Sequence, residues 1–346
     1  MDTPTFPVID FSDFENRFEI IAKEILEACH HAGFFCIIHH QGPTSAQFNR
    51  IFEMGEKFFQ QPIEEKIPFG RTQIRSQGGY VSLTPEELNG ESIIYNLNKS
   101  EAFDVLPPFG NQELPNAFLE NKQELDTFYK DMHSTVTMIL EALSFALKIP
   151  ANPESGANDY LSSRHRYEDS FHTNFFHIQR YPASSKQAKT TNTKQYHCIS
   201  NNNSNDNIAK KEVIHTAHAD NSTITLLSQK DVAGLQVEID GNWVNVPIIQ
   251  DAILVNVGDT LHWWTRGYLK AVNHRVLADP ELKYKDRYSS GYFINPKSDT
   301  LLAGIPSPFI PSKTPFIEDM TTGKELTFEE YITEKFKRMP YKLGND

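Results

Sequence analysis

The sequence predicts a mainly β protein with helical additions, in which N-terminal helices pack on a sandwich or closed double sheet, such as a double-stranded β-helix (jelly roll) core. Three observations predict this fold class. Apolar residues recur at helical spacing in the first 170 residues, whereas short runs rich in β-branched and aromatic residues follow residue 170. The pair Asp240-Gly241 between two of these runs is a strong signal for a tight turn between strands.

The N-terminal part begins with a strand, a helix and a second strand. Residues 6–10 are typical of a short strand, and Ser12 with Glu15 predicts a capping box that opens the first helix. Apolar residues at helical spacing follow, and Gly33 ends that helix. Residues 34–39 (FFCIIH) are typical of a buried strand.

Two longer helices follow. Thr44 and Gln47 open the second helix, and Pro62 stops it. Residues 70–105 have a mixed, Gly-containing composition, and Gly78-Gly79-Tyr80 predicts a turn there. The apolar stripe over residues 125–147 predicts the longest helix of the chain.

The C-terminal part predicts a series of short strands and one last helix. Thr327 and Glu330 cap this helix. The predicted organisation is a helical region over residues 1–170, a jelly-roll core over 171–310 and a helical extension over 311–346. The predicted strands are FFHIQRY (175–181), STITLLSQ (222–229), GLQVEI (234–239), NWVNVPI (242–248), AILVNV (252–257) and YSSGYFIN (288–295), with a flexible, Asn-rich insertion at 184–212 inside the core.

Composition restricts the class of partner. The net charge of -12 disfavours nucleic acid and anionic membranes, and no apolar run is long enough to span a bilayer. Cys29, Cys36 and Cys198 are widely spaced and predict no disulfide framework. The N-terminus lacks the pattern of a secretory signal. We therefore expect a cytoplasmic monomer that acts on a small molecule.

His218 and Asp220 form the first half of a candidate metal site. Residues two apart in a strand point to the same face, so the imidazole and the carboxylate are expected to project together. A second imidazole from a distant strand completes a facial triad that suits iron(II). His274 follows the strand at 252–257 and is the candidate for this position. Alone, a His-x-Asp pair is a weak signal, since the chain has 13 histidines.

Arg287 and Ser289 form a candidate anion site. They share one face of the next predicted strand, and a guanidinium beside a hydroxyl is a suitable fork for a carboxylate. Two histidines and a carboxylate also hold catalytic zinc in hydrolases, but the helical HExxH spacing is absent and zinc hydrolysis leaves the Arg-x-Ser pair unexplained.

The order of these motifs resembles the 2-oxoglutarate/iron(II)-dependent dioxygenase superfamily, in the branch that includes isopenicillin N synthase and the flavonoid and gibberellin oxidases. The resemblance covers nearly the whole chain and is densest over residues 218–276. The chain departs from the family pattern at Ala219, where threonine is usual, and in the length of 184–212. Further matching segments are FPVIDFS (6–12), KSEAFDV (99–105), RYP (180–182) and RYSSGYFINP (287–296).

The resemblance implies a function and a set of site residues. It implies iron(II) bound by His218, Asp220 and His274, with Arg287 and Ser289 binding the far carboxylate of 2-oxoglutarate. The family's tyrosine falls at Tyr181, which is expected to contact the same carboxylate. The implied activity is oxidation of a small molecule by O2, most simply hydroxylation, with release of succinate and CO2.

Two other functions stay open at this point. An isopenicillin N synthase-like or ethylene-forming-type oxidase on the same scaffold uses no 2-oxoglutarate, and its Arg-x-Ser pair holds a substrate carboxylate. A non-catalytic jelly-roll binding protein is the alternative from another class. Substrate choice is expected to depend on residues 75–105, on 184–212 and on the stretch after Pro296.

Other histidines and aromatic residues compete with this assignment. His215 lacks an acid two residues later, and His262 directly follows a Gly-Asp turn, so both are interpreted as non-ligands. Trp263 and Trp264 suit either the core or the cavity wall. The pairs His30-His31 and His39-His40 are interpreted as surface or packing residues.

Overall fold

The computed structural model describes residues 6–71, 78–82, 100–106, 112–169, 174–183, 212–311 and 325–338. Two β-sheets face each other, and helices cover the outer side of the larger sheet. This arrangement confirms the predicted jelly-roll core with helical additions. The predicted insertion at 184–212 lies outside the described residues except for its last residue, and Cys198 lies outside them as well. The domain boundaries at 170 and 310 stay predictions.

The described strands form a large and a small sheet. The large sheet has the order β1-β2-β10-β7-β12-β5-β4-β3, and the small sheet has the order β6-β11-β8-β9. Every pairing is antiparallel except that of β1 with β2. The strands are β1 (Val8–Asp10), β2 (Phe34–Ile38), β3 (Gly79–Val81), β4 (Glu101–Val105), β5 (Phe175–Tyr181), β6 (Val213–His218), β7 (Ile224–Gln229), β8 (Leu235–Ile239), β9 (Asn242–Asn245), β10 (Ile253–Val257), β11 (His274–Leu277) and β12 (Arg287–Ile294).

The helices lie mostly in the N-terminal part. No helix among the described residues is long and apolar enough to cross a membrane. The α-helices are α1 (Phe18–His31), α2 (Ser45–Phe59), α3 (Ile63–Lys66), α4 (Asn116–Leu119), α5 (Lys122–Ala146), α6 (Asp259–Trp264) and α7 (Phe328–Arg338).

Alternation along the strands divides the buried side chains into two cores. Phe176 and Ile178 of β5 point away from the small sheet, into a core that the large sheet shares with α1, α2 and α5. Tyr181 of the same strand belongs to a second core, which joins the large sheet to β6, β8, β9 and β11. The candidate site lies at this second core, between the two sheets.

The helix starts predicted at Thr44 and at Thr327 are confirmed, and each is a capping box. Thr44 accepts a hydrogen bond from the Gln47 backbone, and the Gln47 side chain accepts one in return. Thr327 and Glu330 make the same reciprocal pair at the start of α7.

The capping box predicted at Ser12 is wrong. Helix α1 begins only at Phe18, because Asp13 adopts a left-handed backbone conformation (φ 52°) that interrupts a helix. The carbonyl and hydroxyl oxygens of Ser12 instead accept hydrogen bonds from the Arg17 guanidinium at 2.9 and 3.2 Å. The turn is therefore stabilised by a later side chain and not by Glu15.

The described residues of the region 70–105 include two strands of the large sheet, and the turn predicted at Gly78-Gly79-Tyr80 is wrong because Gly79 and Tyr80 belong to β3. Strand β4 pairs with β5 and carries Glu101, a buried carboxylate. Lys66 donates to one oxygen of Glu101 at 2.6 Å and Arg180 to the other at 2.7 Å. These cations compensate the burial of the acid, so a polar sequence forms a fully buried strand.

Candidate active site

The structure brings the predicted triad together. His218 ends β6, His274 begins β11, and the two residues face each other across this antiparallel pair. Nε2 of His218 lies 3.9 Å from Oδ1 of Asp220, and Nε2 of His274 lies 3.7 Å from the same oxygen. One ligand atom from each residue falls within 4.8 Å of the others, a spacing that could hold a metal ion.

The prediction that His218 and Asp220 share one face of a strand is wrong. Strand β6 ends at His218, so Asp220 lies in the loop before β7 and strand alternation does not orient it. Hydrogen bonds hold this loop instead. The backbone N–H of Asp259 donates to the Asp220 carbonyl at 2.7 Å, and Oδ2 of Asp220 accepts from Thr225 at 2.7 Å and from Asn256 at 2.8 Å.

These hydrogen bonds determine which atoms of Asp220 and His218 face the centre of the triad. Because Oδ2 of Asp220 is occupied by two donors, Oδ1 faces the imidazoles. Nδ1 of His218 lies 2.8 Å from the carbonyl of Thr216 and donates to it in the tautomer that leaves the Nε2 lone pair free. Such outer hydrogen bonds fix the orientation and basicity of metal ligands.

Burial and mutual charge set the protonation of the triad. Burial lowers the pKa of His274 to about 4, although the Asp220 carboxylate opposes this shift. Burial alone would raise the pKa of Asp220, but the two imidazoles and the donors Asn256 and Thr225 outweigh it and lower the pKa. At neutral pH the site therefore offers a carboxylate and a neutral His274, which suit a divalent cation.

Arg287 and Ser289 lie on the cavity side of β12, as predicted. The Arg287 side chain is 2% exposed, and burial lowers its pKa. Its terminal nitrogens contact Gln229 Oε1 at 3.1 Å and Ser289 Oγ at 3.5 Å, and its Nε has no hydrogen-bond partner among the described residues. No carboxylate in this described part of the chain pairs with it. Because an isolated buried charge is costly, this guanidinium fits an anion that enters the cavity.

Tyr181 lies directly across from Arg287 in the pairing of β5 with β12. Its ring centroid is 5.1 Å from the guanidinium carbon, and its hydroxyl contacts Gln179 Oε1 at 2.9 Å and His215 Nδ1 at 2.7 Å. Tyr181 is therefore at the predicted place, beside the candidate anion site.

The sequence did not predict the position of His215. Its ring stacks on His218 with centroids 4.6 Å apart, and it lines the same cavity. Strand β6 is bulged here: His218 lies opposite His274, and His215 lies opposite Val276. A bulge shifts side-chain alternation by one residue. The rule that every second residue of a strand shares a face therefore could not predict that His215 and His218 lie side by side. As expected, His215 lies outside the triad.

The remaining competitors have structural roles. Nδ1 of His262 lies 2.8 Å from the carbonyl of Leu269, and Trp264 is fully buried with its indole N–H donated to Ala303. Trp263 packs beside Tyr331, and neither tryptophan lines the cavity. The other pairs make surface or packing contacts: His30 with Tyr268, His39 with Asp10 and His40 with Asp251.

Two family models match separate parts of the chain, which together make up more than half of its length. Residues 178–296 match the model of the 2OG-Fe(II) oxygenase superfamily, and residues 6–124 match that of the N-terminal region of non-haem dioxygenases in morphine synthesis. The chain belongs to the 2-oxoglutarate/Fe(II)-dependent dioxygenase superfamily. It is an oxidoreductase whose cofactors are Fe(II) and 2-oxoglutarate, as its sequence predicted.

Relatives match over most of their length. The chain is 29% identical to a UPF0676 protein of Schizosaccharomyces pombe, over 92% of this chain and 89% of that one. It is 25% identical to gibberellin 2-beta-dioxygenase 8 of Arabidopsis thaliana, over 98% and 85%. Its fold matches that of a full-length Neurospora crassa protein, solved in complex with alpha-KG and thymine, with a TM-score of 0.72, 22% identity and 96% of each chain covered.

Proposed function

We propose that His218, Asp220 and His274 bind Fe(II), and that Arg287 and Ser289, beside Tyr181, bind the far carboxylate of 2-oxoglutarate. The enzyme then oxidises a small-molecule substrate, most simply by hydroxylation, with release of succinate and CO2. One observation carries the proposal: a buried guanidinium, with no acid partner in the described part of the chain, lines the same cavity as the metal triad.

The donor set of the triad fits a divalent cation. His218, Asp220 and His274 would hold Fe(II) through two imidazoles and one carboxylate, ligands that suit this ion. When bound there, Fe(II) supplies the activation of O2 that is coupled to decarboxylation of 2-oxoglutarate. The two carboxylates of the cosubstrate match two parts of the cavity, the metal triad and Arg287.

The contribution of the protein is orientation and electrostatics. Thr225 and Asn256 hold Asp220 so that one oxygen faces the metal position. Gln229 and Ser289 hold the Arg287 guanidinium without neutralising it, so its full charge remains for the incoming carboxylate. The apolar residues Leu227, Leu254 and Val276 also line this cavity.

The alternatives explain less. An oxidase without 2-oxoglutarate requires the substrate itself to carry the carboxylate that pairs with Arg287. A non-catalytic binding protein leaves the orienting hydrogen bonds of Asp220 without a purpose. The family match favours neither alternative.

The proposal includes three properties inferred from the sequence. We infer that the enzyme acts as a monomer in the cytoplasm and that its substrate is a small molecule and not a nucleic acid. The acidic net charge of -12 supports the exclusion of polyanions.

Succinate formation in a metabolite screen tests the activity. Purified protein with Fe(II), O2 and 2-oxoglutarate should release succinate above a low background when the correct substrate is added. His218→Ala, Asp220→Ala and His274→Ala should each abolish this release and lower the Fe(II) retained on dialysis. His40→Ala is the matched control, because that ring contacts Asp251 and lies away from the cavity.

The outcomes separate the alternatives. Substrate oxidation without consumption of 2-oxoglutarate would indicate the oxidase. Fe(II) binding that is equal in the wild type and in all three alanine variants would refute the proposed metal site.

A further inference from the structure

The cavity wall also includes His177 of β5, which lies further along this strand from the anion site. Alternate residues of β5 lie opposite alternate residues of β12: Tyr181 opposite Arg287, Gln179 opposite Ser289, and His177 opposite Gly291. His177 therefore lies two strand positions beyond Gln179, on the same side of the sheet, and it lines the cavity.

His177 is held by a buried carboxylate. Its Nδ1 lies 2.6 Å from Oδ1 of Asp104, a residue of β4, and Arg71 donates to the other oxygen of Asp104 at 2.6 Å. Burial alone would raise the pKa of Asp104, but His177 and Arg71 outweigh it and lower the pKa. The carboxylate therefore stays ionised at neutral pH and accepts the Nδ1 proton of the histidine.

This contact determines which atom the imidazole can offer to a ligand. With Nδ1–H donated to Asp104, a neutral ring keeps its lone pair on Nε2. None of the described residues makes a hydrogen bond to Nε2 of His177. Proteins commonly orient functional histidines in this way: a carboxylate accepts a hydrogen bond from one ring nitrogen, and the other nitrogen remains free for a ligand.

An aromatic residue lies beside His177 on the wall of the cavity. The Phe293 ring lies edge-on to His177 at 6.1 Å and stacks on Phe175 at 4.6 Å, and Phe293 lines the cavity. Gly291, the cross-strand neighbour of His177, has no side chain, and a Cβ there would approach the Phe293 ring at 3.0 Å. This part of the cavity therefore combines one oriented hydrogen-bonding atom with an aromatic wall.

We propose that His177, oriented by Asp104, accepts a hydrogen bond from an O–H or N–H group of the substrate, whose apolar ring packs against Phe293. The inference rests on the proposed function, because it assigns the substrate subsite of the same cavity. The cosubstrate occupies the Arg287 end, and the His177 end remains for the substrate. His177 acts here as a specificity-determining residue, and Asp104 acts as its positioning residue.

Matched small probes test this subsite without knowledge of the natural substrate. Phenol and anisole have the same ring, but only phenol carries the O–H donor. Their dissociation constants are measured under argon on protein loaded with Fe(II) and 2-oxoglutarate, so that no turnover occurs. One neutral hydrogen bond to Nε2 predicts that the wild type binds phenol about tenfold more tightly than anisole.

Variants assign this preference to His177. His177→Phe should reduce the ratio to about one, and Asp104→Asn should lower it several-fold by releasing the ring. His177→Gln keeps an acceptor at a similar reach and should retain part of the preference. The dissociation constant of 2-oxoglutarate should remain within about twofold in all three, because the Arg287 end is unchanged.

Several results would overturn the inference. These are equal binding of phenol and anisole by the wild type, no binding of either probe, a preference kept in His177→Phe, or tighter binding of benzoate than of phenol, which would indicate a cationic subsite. Failure of the wild type to bind 2-oxoglutarate at all would instead contradict the proposed function. The two failures are thus distinguishable.

Discussion

Replacement of Arg287 by methionine is expected to abolish tight binding of 2-oxoglutarate without weakening the fold. The guanidinium is buried, has no acid partner among the described residues and leaves its Nε unpaired there. Within the same part of the chain, its side-chain hydrogen bonds are with Gln229 and Ser289. Arg287 therefore contributes little to the stability of the free enzyme and strongly to the binding of an anion.

The size of the effect follows from the hydrogen bonds that the anion gains. A carboxylate held by two charge-assisted hydrogen bonds at about 2 kcal/mol each loses about 4 kcal/mol in the variant. This corresponds to a rise of roughly three orders of magnitude in the dissociation constant of 2-oxoglutarate. The free energy of unfolding of the free enzyme should stay within about 1 kcal/mol of wild type or increase, because a desolvated charge without a partner is removed.

Two assays measure the two halves of this prediction. Initial rates of succinate formation against 2-oxoglutarate concentration give KM, and thermal unfolding with and without 2-oxoglutarate gives stability. At about 100 times its dissociation constant, 2-oxoglutarate stabilises the wild type by about 2.7 kcal/mol, and this gain should vanish in Arg287→Met.

Arg275→Met is the matched control. Arg275 stacks on Trp243 at 4.0 Å and donates to Gln236 at 2.9 Å, and it does not line the cavity. Its loss should leave the KM for 2-oxoglutarate unchanged. A KM for 2-oxoglutarate in Arg287→Met within about threefold of wild type, or a strongly destabilised free enzyme, would refute the reasoning.

Three further predictions concern the metal site, the dependence of stability on pH and a helix cap. Thr225→Val removes one donor to Asp220 and should weaken Fe(II) binding about 10- to 100-fold in equilibrium dialysis; an unchanged affinity would show that this hydrogen bond does not orient the ligand. Burial lowers the pKa of His165 from 6.5 to about 4, so the unfolded chain binds its proton first and stability falls as pH drops from 6.5 towards 4. His165→Gln should reduce this loss by about 3 kcal/mol in denaturant titrations, and an identical slope in both proteins would contradict the assignment. Thr44→Ala removes the cap contact to Gln47 and should cost about 1 kcal/mol of unfolding free energy, whereas Thr127→Ala, on the exposed face of α5, should cost less.

The sequence predicted the strands whose pattern is local. Asp240 and Gly241 form the turn between β8 and β9, both with positive φ, as the pair suggested. Strand β5 has the predicted bounds Phe175–Tyr181, and β12 differs from its prediction by one residue at each end. These strands could be predicted because their own apolar residues and turns specify the structure, without contributions from distant parts of the chain.

Strands that depend on distant partners could not be predicted in this way. Glu101 and Asp104 make β4 look like a polar loop, yet both are buried because Lys66, Arg71 and His177 compensate their charges. No local sequence pattern reveals that residues from distant parts of the same chain compensate these charges. The proposed role of His177 in substrate binding could not be predicted either, because it depends on the contact with Asp104, which only the structure shows.

The candidate site was predicted from order along the chain more than from geometry. His218, Asp220 and His274 do converge, but the loop that carries Asp220 is held by Thr225 and Asn256 and not by strand alternation. Strand alternation correctly predicted that Arg287 and Ser289 lie on the same face of β12. The sequence could not show which groups surround the Arg287 guanidinium.

An anaerobic titration of Fe(II) and 2-oxoglutarate into the protein tests the central claim most directly. A 2-oxo acid that chelates Fe(II) in the triad gives a visible charge-transfer absorption, which we predict for the wild type at a stoichiometry of one per chain. His274→Ala should lose the band at every 2-oxoglutarate concentration, and Arg287→Met should need a far higher concentration to reach it. Absence of the band in the wild type, or a band unaffected by His274→Ala, would contradict the assignment of this cavity as the Fe(II) and 2-oxoglutarate site.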